Sequence, residues 1–244
     1  MRSNDGHTGA ASVPTKFVYL APRPEKVDRA AFGRHWRERS DGVAQSGQFT
    51  HYEQCETLTP ADEPALPESL FGPLGISGDF AGVAQAWFVG GSGAVADLAT
   101  DTTWAASTGG EAQPAPARPA GNLLATQEEV VFDLGGTKLK IFSFLQRRAG
   151  LSLAEFSDQW RAFAQTFAAH DELVRHCSGY VQNHVYAPDG RPRYDGIAEM
   201  SFRSVDDVVA FISEPSMVEE LFPAEQPFID RTDVVVVLTR RLEA

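Results

Sequence analysis

The stretch Lys138–Trp160, KLKIFSFLQRRAGLSLAEFSDQW, decides the fold, because a recognisable copy of it occurs earlier in the chain. A shift of 124 positions lays Phe17, Val18, Leu20, Arg23, Val27, Phe32 and Trp36 over Ile141, Phe142, Phe144, Arg147, Leu151, Phe156 and Trp160 without a gap. A shift of 114 positions pairs Phe80-Ala81-Gly82-Val83-Ala84-Gln85 with Tyr194-Asp195-Gly196-Ile197-Ala198-Glu199, and Phe88 with Phe202. Two collinear matches imply a tandem repeat, so differences between the halves become places to look for function.

The second half carries the stronger local signals. Leu139–Gln146 reads as a strand. In Leu151-Ser152-Leu153-Ala154-Glu155, Ser152 is placed to cap a helix and Glu155, three residues on, completes a capping box. That helix presents Phe156, Trp160, Phe163 and Phe167 on one stripe. Tyr180–Tyr186 alternates as a strand, Pro188-Asp189-Gly190 turns the chain, and Tyr194–Phe202 returns. A helix begins near Ser204, breaks at Pro215 and resumes over Ser216–Leu221. Asp233–Thr239, containing VVVVL, closes the unit as a strand.

The first half follows the same order with weaker signals. Lys16–Pro22 is a strand, Asp28 caps a helix to about Gly42 with Ala31, Phe32 and Trp36 on its buried side, and Gly47–Glu56 is a second strand. Thr59–Asp79 is a loop, Phe80–Val89 a third strand, Gly93–Ala99 a short helix and Glu129–Phe132 a last strand. The Ala, Gly and Pro rich segment 105–122 reads as a flexible loop. Gly135-Gly136 stands between two strands and reads as a hairpin or linker turn.

Each half is thus β, α, β, β, α, β, an α+β unit of the ferredoxin-like kind with both helices on one face of its sheet. Two such units, 16–134 and 135–244 after a disordered tail over 1–15, can pair bare sheet against bare sheet. The result is an intramolecular barrel that imitates a homodimer of single units. Closing internally leaves a further homodimer open.

Bulk properties narrow the partners. The composition is 43% hydrophobic and 22% charged, ordinary for a folded chain of 244 residues. A net charge of -12 disfavours nucleic acid and anionic membrane, which need clustered Lys and Arg. No long apolar run or signal-like leader is apparent, so the expected location is cytoplasmic. Cys55 and Cys177 have no metal-like spacing and read as buried thiols. No dinucleotide fingerprint, P-loop or zinc-protease pattern occurs, so no cofactor and no metal are expected.

The second half resembles the EthD family of the dimeric α/β-barrel superfamily. The resemblance rests on Leu151-Ser152 and Phe156 to Trp160, on Tyr180-Val181-Gln182-Asn183-His184-Val185, on Tyr194-Asp195-Gly196-Ile197-Ala198-Glu199, and on Phe228-Ile229-Asp230-Arg231. It implies paired ferredoxin-like sheets and a small-molecule enzyme: a lyase, isomerase or cyclase moving protons on an aromatic, lactone or polyketide-like compound, or a cofactor-independent oxidoreductase. The family commonly places a histidine four residues after the helix Trp, where this chain has Ser40 and Ala164. That departure keeps a non-catalytic binding protein as a third reading.

Candidate site residues follow from alternation. Tyr180, Gln182, His184 and Tyr186 share one face, expected to look into the hollow between the sheets, with Val181, Asn183 and Val185 turned to the helices. His184 would move a proton near neutrality, and Asp195 would orient it. Asp195 and Glu199 share the other inward face, while Gly196 and Ala198 suit helix contact. Tyr180, Gln182, Glu199, His51 and Glu53 would bind substrate. A satisfied core histidine, strand-end carboxylates and solvated edge residues are the structural alternatives for these positions. Arg23 and Arg147 end matching strands as a substrate clamp or as solvated cations.

Overall fold

Eight strands close into an antiparallel barrel in the computed structural model, which describes residues 14–23, 33, 34, 36, 49–71, 75–89, 122–187 and 192–242. They are β1 (Pro14–Pro22), β2 (His51–Thr57), β3 (Phe80–Val89), β4 (Leu123–Asp133), β5 (Leu139–Arg147), β6 (Gly179–Val185), β7 (Gly196–Phe202) and β8 (Ile229–Arg241). The described helices include α1 (Leu153–Ala168), α2 (Asp171–Val174), α3 (Val205–Ser213) and α4 (Phe222–Glu225), with a 3-10 turn over Glu68–Phe71 and a π-helical turn over Met217–Leu221. The expected tail, the helices over 28–42 and 93–99, the 105–122 loop and the Pro188-Asp189-Gly190 turn lie wholly or largely outside the described residues.

Around the barrel the order is β1-β3-β2-β8-β5-β7-β6-β4 and back to β1. Within each half, the fourth strand lies beside the first, then come the third and the second. The junctions are β2 with β8, where Thr57 faces Thr239, and β4 with β6, where Thr126 faces Val185. The 124-residue shift also maps Lys16 onto Lys140. Lys16 stands opposite Thr126 and Lys140 opposite Thr239. In both pairs the threonine hydroxyl donates to the lysine carbonyl at 3.0 Å.

Alternation sorts the side chains. Val18, Leu20, Cys55, Val83, Leu124, Phe142, Phe144, Val185, Ile197 and Val237 form one buried cluster. All eight strands contribute to it, which only the barrel interior allows. The outward residues Ile141, Leu145, Tyr180, Ala198, Phe202 and Leu238 instead pack with Phe156, Trp160, Phe163 and Phe167 of α1 and Phe211 of α3. Each of these buried aromatics contributes about 1.5–3 kcal/mol by leaving water. Ser152 caps α1 and the capping box with Glu155 is complete, as the sequence predicts. Gly196 is required where β7 passes under α1, since a Cβ there would lie 2.5 Å from Trp160 Cζ3.

Candidate functional site

Two polar regions stand out, one inside the barrel and one outside it. The interior region continues the inward rows that carry the apolar cluster. Glu199 of β7 accepts from Lys16 Nζ at 2.8 Å and from Lys140 Nζ at 2.7 Å. Lys140 also donates to Glu53 of β2, and Lys16 donates to Glu128 of β4 at 2.9 Å. Gln85 Nε2 donates to Glu53 at 3.1 Å, Arg241 Nε lies 3.2 Å from Glu53, and Asn183 Nδ2 donates to Ile197 O and Glu199. Trp87 donates to Glu128 at 2.8 Å, and its ring lies 4.6 Å from Lys16 Nζ.

Every strand except β8 sends a side chain into this network through a row buried in the core, and β8 closes it with Arg241. Burial by itself would lift the Glu199 carboxyl, but the two ammonium groups override it and hold the carboxyl well below the usual range. Lys140 moves the opposite way: burial would lower it, and Glu199 with Glu53 raise it. The region is a matched set of buried ions. Its three carboxylates are all paired with cations, while Gln85 Oε1 and Asn183 Oδ1 accept no hydrogen bond, and the set has the character of a structural lock.

The second region is a cavity of about 90 Å³ between the outer face of β5, β7 and β8 and the helical segments packed over it. Its floor is Ile141, Ser143, Ala198, Met200, Val234 and Val236, and its roof includes Trp160, Phe163, Phe211, Met217, Leu221 and Phe222. Ile76 closes one side, because residues 76–77 dock on β8, where Ser77 N donates to Val236 O at 2.7 Å. The polar lining is Ser143, Tyr180, Glu225 and Arg231. Arg231 pairs with Glu225, and its guanidinium lies 3.6 Å from the Phe222 ring centroid. Burial pushes the Glu225 carboxyl up to about 7, although Arg231 pulls it down. Burial also raises the Tyr180 phenol, whose oxygen accepts from Gln182 Nε2 at 3.1 Å.

The expected orientation of the Tyr180 face is reversed. Tyr180, Gln182 and His184 point out of the barrel beneath α1, and Asn183 and Val185 point in. Gln182 Nε2 donates to Trp160 O at 2.7 Å, and the Trp160 and His184 rings lie 4.8 Å apart. The physical reason is that α1 offers flat aromatic partners, Trp160 and Phe167, to Tyr180 and His184, whereas the interior needs Asn183 to bind Glu199. The barrel interior is filled by side chains, and the cavity lies outside the barrel over β5, β7 and β8.

His184 therefore sits behind Trp160 and outside the cavity lining, with Nε2 3.7 Å from Glu129 of β4. Burial, and then Arg161, lower its pKa to about 4, so it is neutral near pH 7. Asp195 accepts from the Arg147 backbone at 2.8 Å and pairs with the Arg147 side chain, which engages one of the two matching arginines at the barrel rim. Glu53 and Glu199 do meet inside, as alternation predicts. His51 is exposed and lies against Trp87, with ring centroids 4.9 Å apart. Ala164 is buried in the α1 core, and His170 pairs with Glu172 away from the cavity. Among the described residues no group of three or more His, Cys, Asp or Glu side chains is placed to hold a metal ion.

Sequence reasoning missed Lys16, Lys140, Glu225 and Arg231. The lysines were legible, since both sit two residues before an inward core position and map onto each other at the repeat shift. Glu225 carried no signal, because only the docking of α4 on β8 brings it to Arg231.

A comparison with curated protein sequences finds no match. Among solved structures, a proposed monooxygenase from Fusobacterium nucleatum subsp. nucleatum aligns at 7% identity and TM-score 0.54, covering 95% of this chain and 94% of that one. An anthrone oxidase-like protein aligns at 8% identity and TM-score 0.55, covering 94% and 91%. A proposed chlorite dismutase aligns at 8% identity and TM-score 0.52, covering 94% of each chain. At these identities the likeness is one of fold. Among the described residues no helix is long and apolar enough to cross a membrane. The stretch that follows β5 and runs through α1, β6, β7 and α3 into β8 is similar to a known family: residues 148–232 match the EthD domain.

Proposed function

We propose that this chain is a small-molecule enzyme of the EthD type that moves a proton on an aromatic, lactone or polyketide-like substrate held between the second sheet and its helices. The observation that carries this reading is the Glu225–Arg231 pair at the edge of an otherwise apolar, aromatic cavity, with a carboxyl whose pKa of about 7 suits general acid–base work. Glu225 takes or gives the proton, Arg231 stabilises developing negative charge, and Tyr180 and Ser143 orient the substrate's oxygens. His184 becomes a positioning residue that backs Trp160. Asp195, Glu53 and Glu199 maintain the barrel, and His51 lies outside the chemistry.

The halves 16–134 and 135–244 act in this reading as duplicated units closing on each other. The repeated Thr–Lys pairing and the shared strand order support it. The cavity over β5, β7 and β8 lies in the second half, and the working site is assigned there.

Solvent deuterium incorporation into a panel of enolisable aromatic ketones and lactones, anthrone among them, tests the reading. Wild-type protein should exchange at least one of them, and Glu225→Gln should slow exchange by about 10²-fold or more with the fold intact. Unchanged exchange in the variant sinks the assignment. Oxygen uptake accompanying turnover would favour a cofactor-independent oxygenase, which the monooxygenase and oxidase names of two fold neighbours bring into view. Ligand stabilisation without any turnover would favour a binding protein, as the alanine at position 164 suggests.

A further inference from the structure

Resting on the reading of the cavity as the substrate site, we propose that it selects a planar aromatic anion, whose carboxylate or enolate oxygens replace Glu225 on the Arg231 guanidinium, and that one proton enters Glu225 as the anion binds. The chemistry of the walls argues for the first part. Trp160, Phe163 and Phe211 offer flat apolar surface, and an ionic group placed among them would lose its hydration without return. A ligand charge has one favourable place, the edge where Arg231 sits. Its guanidinium is fixed by Phe222, its side chain is 38% exposed, and Glu225 is its carboxylate partner. A guanidinium fork fits a planar carboxylate or enolate better than it fits a neutral carbonyl.

Charge balance argues for the second part. Arg231 and Glu225 together are neutral, and a bound anion would leave two negative charges on one guanidinium. Glu225 is held down only by Arg231 against a burial that favours its neutral form. Once the ligand engages Arg231, that restraint weakens and Glu225 takes up a proton, which restores neutrality. In simple binding the proton comes from solvent. In turnover it comes from an acidic C–H or O–H of the substrate, whose electron pair stays on the substrate as the enolate facing Arg231. Substrate binding thereby makes Glu225 a stronger base at the moment it is needed. The π-helical turn over Met217–Leu221 lies directly before α4, and such turns recur at functional sites.

The test titrates the full chain at pH 8 with 2-naphthoate and with its neutral methyl ester, following tryptophan fluorescence and calorimetry in buffers of different ionisation enthalpy. Naphthoate should bind about tenfold or more tighter than the ester. Its binding should take up about one proton, and the ester's none. Glu225→Gln should bind naphthoate at least as tightly as wild type with no proton uptake, and Arg231→Gln should lose the preference for the anion. Naphthoate binding without proton uptake, or equal binding of acid and ester, overturns the inference and leaves the cavity reading intact. Failure of both ligands to bind overturns both.

Discussion

Replacing Glu199 by Gln tests the interior lock at its centre. The residue is 4% exposed and its carboxylate receives both Lys16 and Lys140. Glutamine keeps the shape and one acceptor oxygen, but it turns an N–H toward one of the two ammonium groups. Removing one partner from a buried ion pair costs about 3–5 kcal/mol. Glu128 still serves Lys16 and Glu53 still serves Lys140, so the expected loss lies at the lower end, about 3 kcal/mol. For a chain of this length that corresponds to a fall in Tm of about 6–12 °C. Urea denaturation followed by fluorescence measures it. The pH dependence supplies a second readout. The folded carboxyl titrates below its unfolded value of about 4.3, so its contribution is complete above that pH and is lost as pH falls through the folded value. Wild type and variant should therefore converge in acid. A loss below about 1 kcal/mol at pH 7, or a gap unchanged down to pH 2, would refute the lock.

Three further outcomes follow from the same packing. Gly196→Ala drives a methyl group into Trp160 and should cost about 1–3 kcal/mol with an altered near-ultraviolet tryptophan signal; unchanged stability would mean that β7 and α1 are not in close contact. The His184 imidazole should titrate near 4 by NMR, and its contribution to stability should be complete above its unfolded pKa of about 6.5 and lost as pH falls toward 4. Titration at an unperturbed value would contradict its burial behind Trp160. Removing the Ser152 cap with Ser152→Ala should cost about 0.5–2 kcal/mol in thermal unfolding, and no loss would contradict the capping box.

Much of the fold could be read from residue order, because strand and helix signals are local. The Ser152–Glu155 box and the Phe156, Trp160, Phe163 and Phe167 stripe identified α1 from neighbouring residues alone. The inward direction of Glu199 followed from Gly196 and Ala198, whose small size suits contact with a helix. The facing of β6 was not legible, because its two faces are both mixed: Tyr180, Gln182 and His184 on one, Val181, Asn183 and Val185 on the other. Which face turned inward depended on Trp160 needing aromatic neighbours and Glu199 needing Asn183, both long-range contacts. The cavity was invisible for the same reason. Ser143, Tyr180, Glu225 and Arg231 come from four separate segments, and only tertiary docking gathers them.

The location of a bound ligand tests the account most directly. A crystal structure of the full chain with 2-naphthoate should show the rings between α1 and the outer face of β5, β7 and β8, with the carboxylate on Arg231. Ligand density inside the barrel beside Lys140 and Glu199 would contradict it.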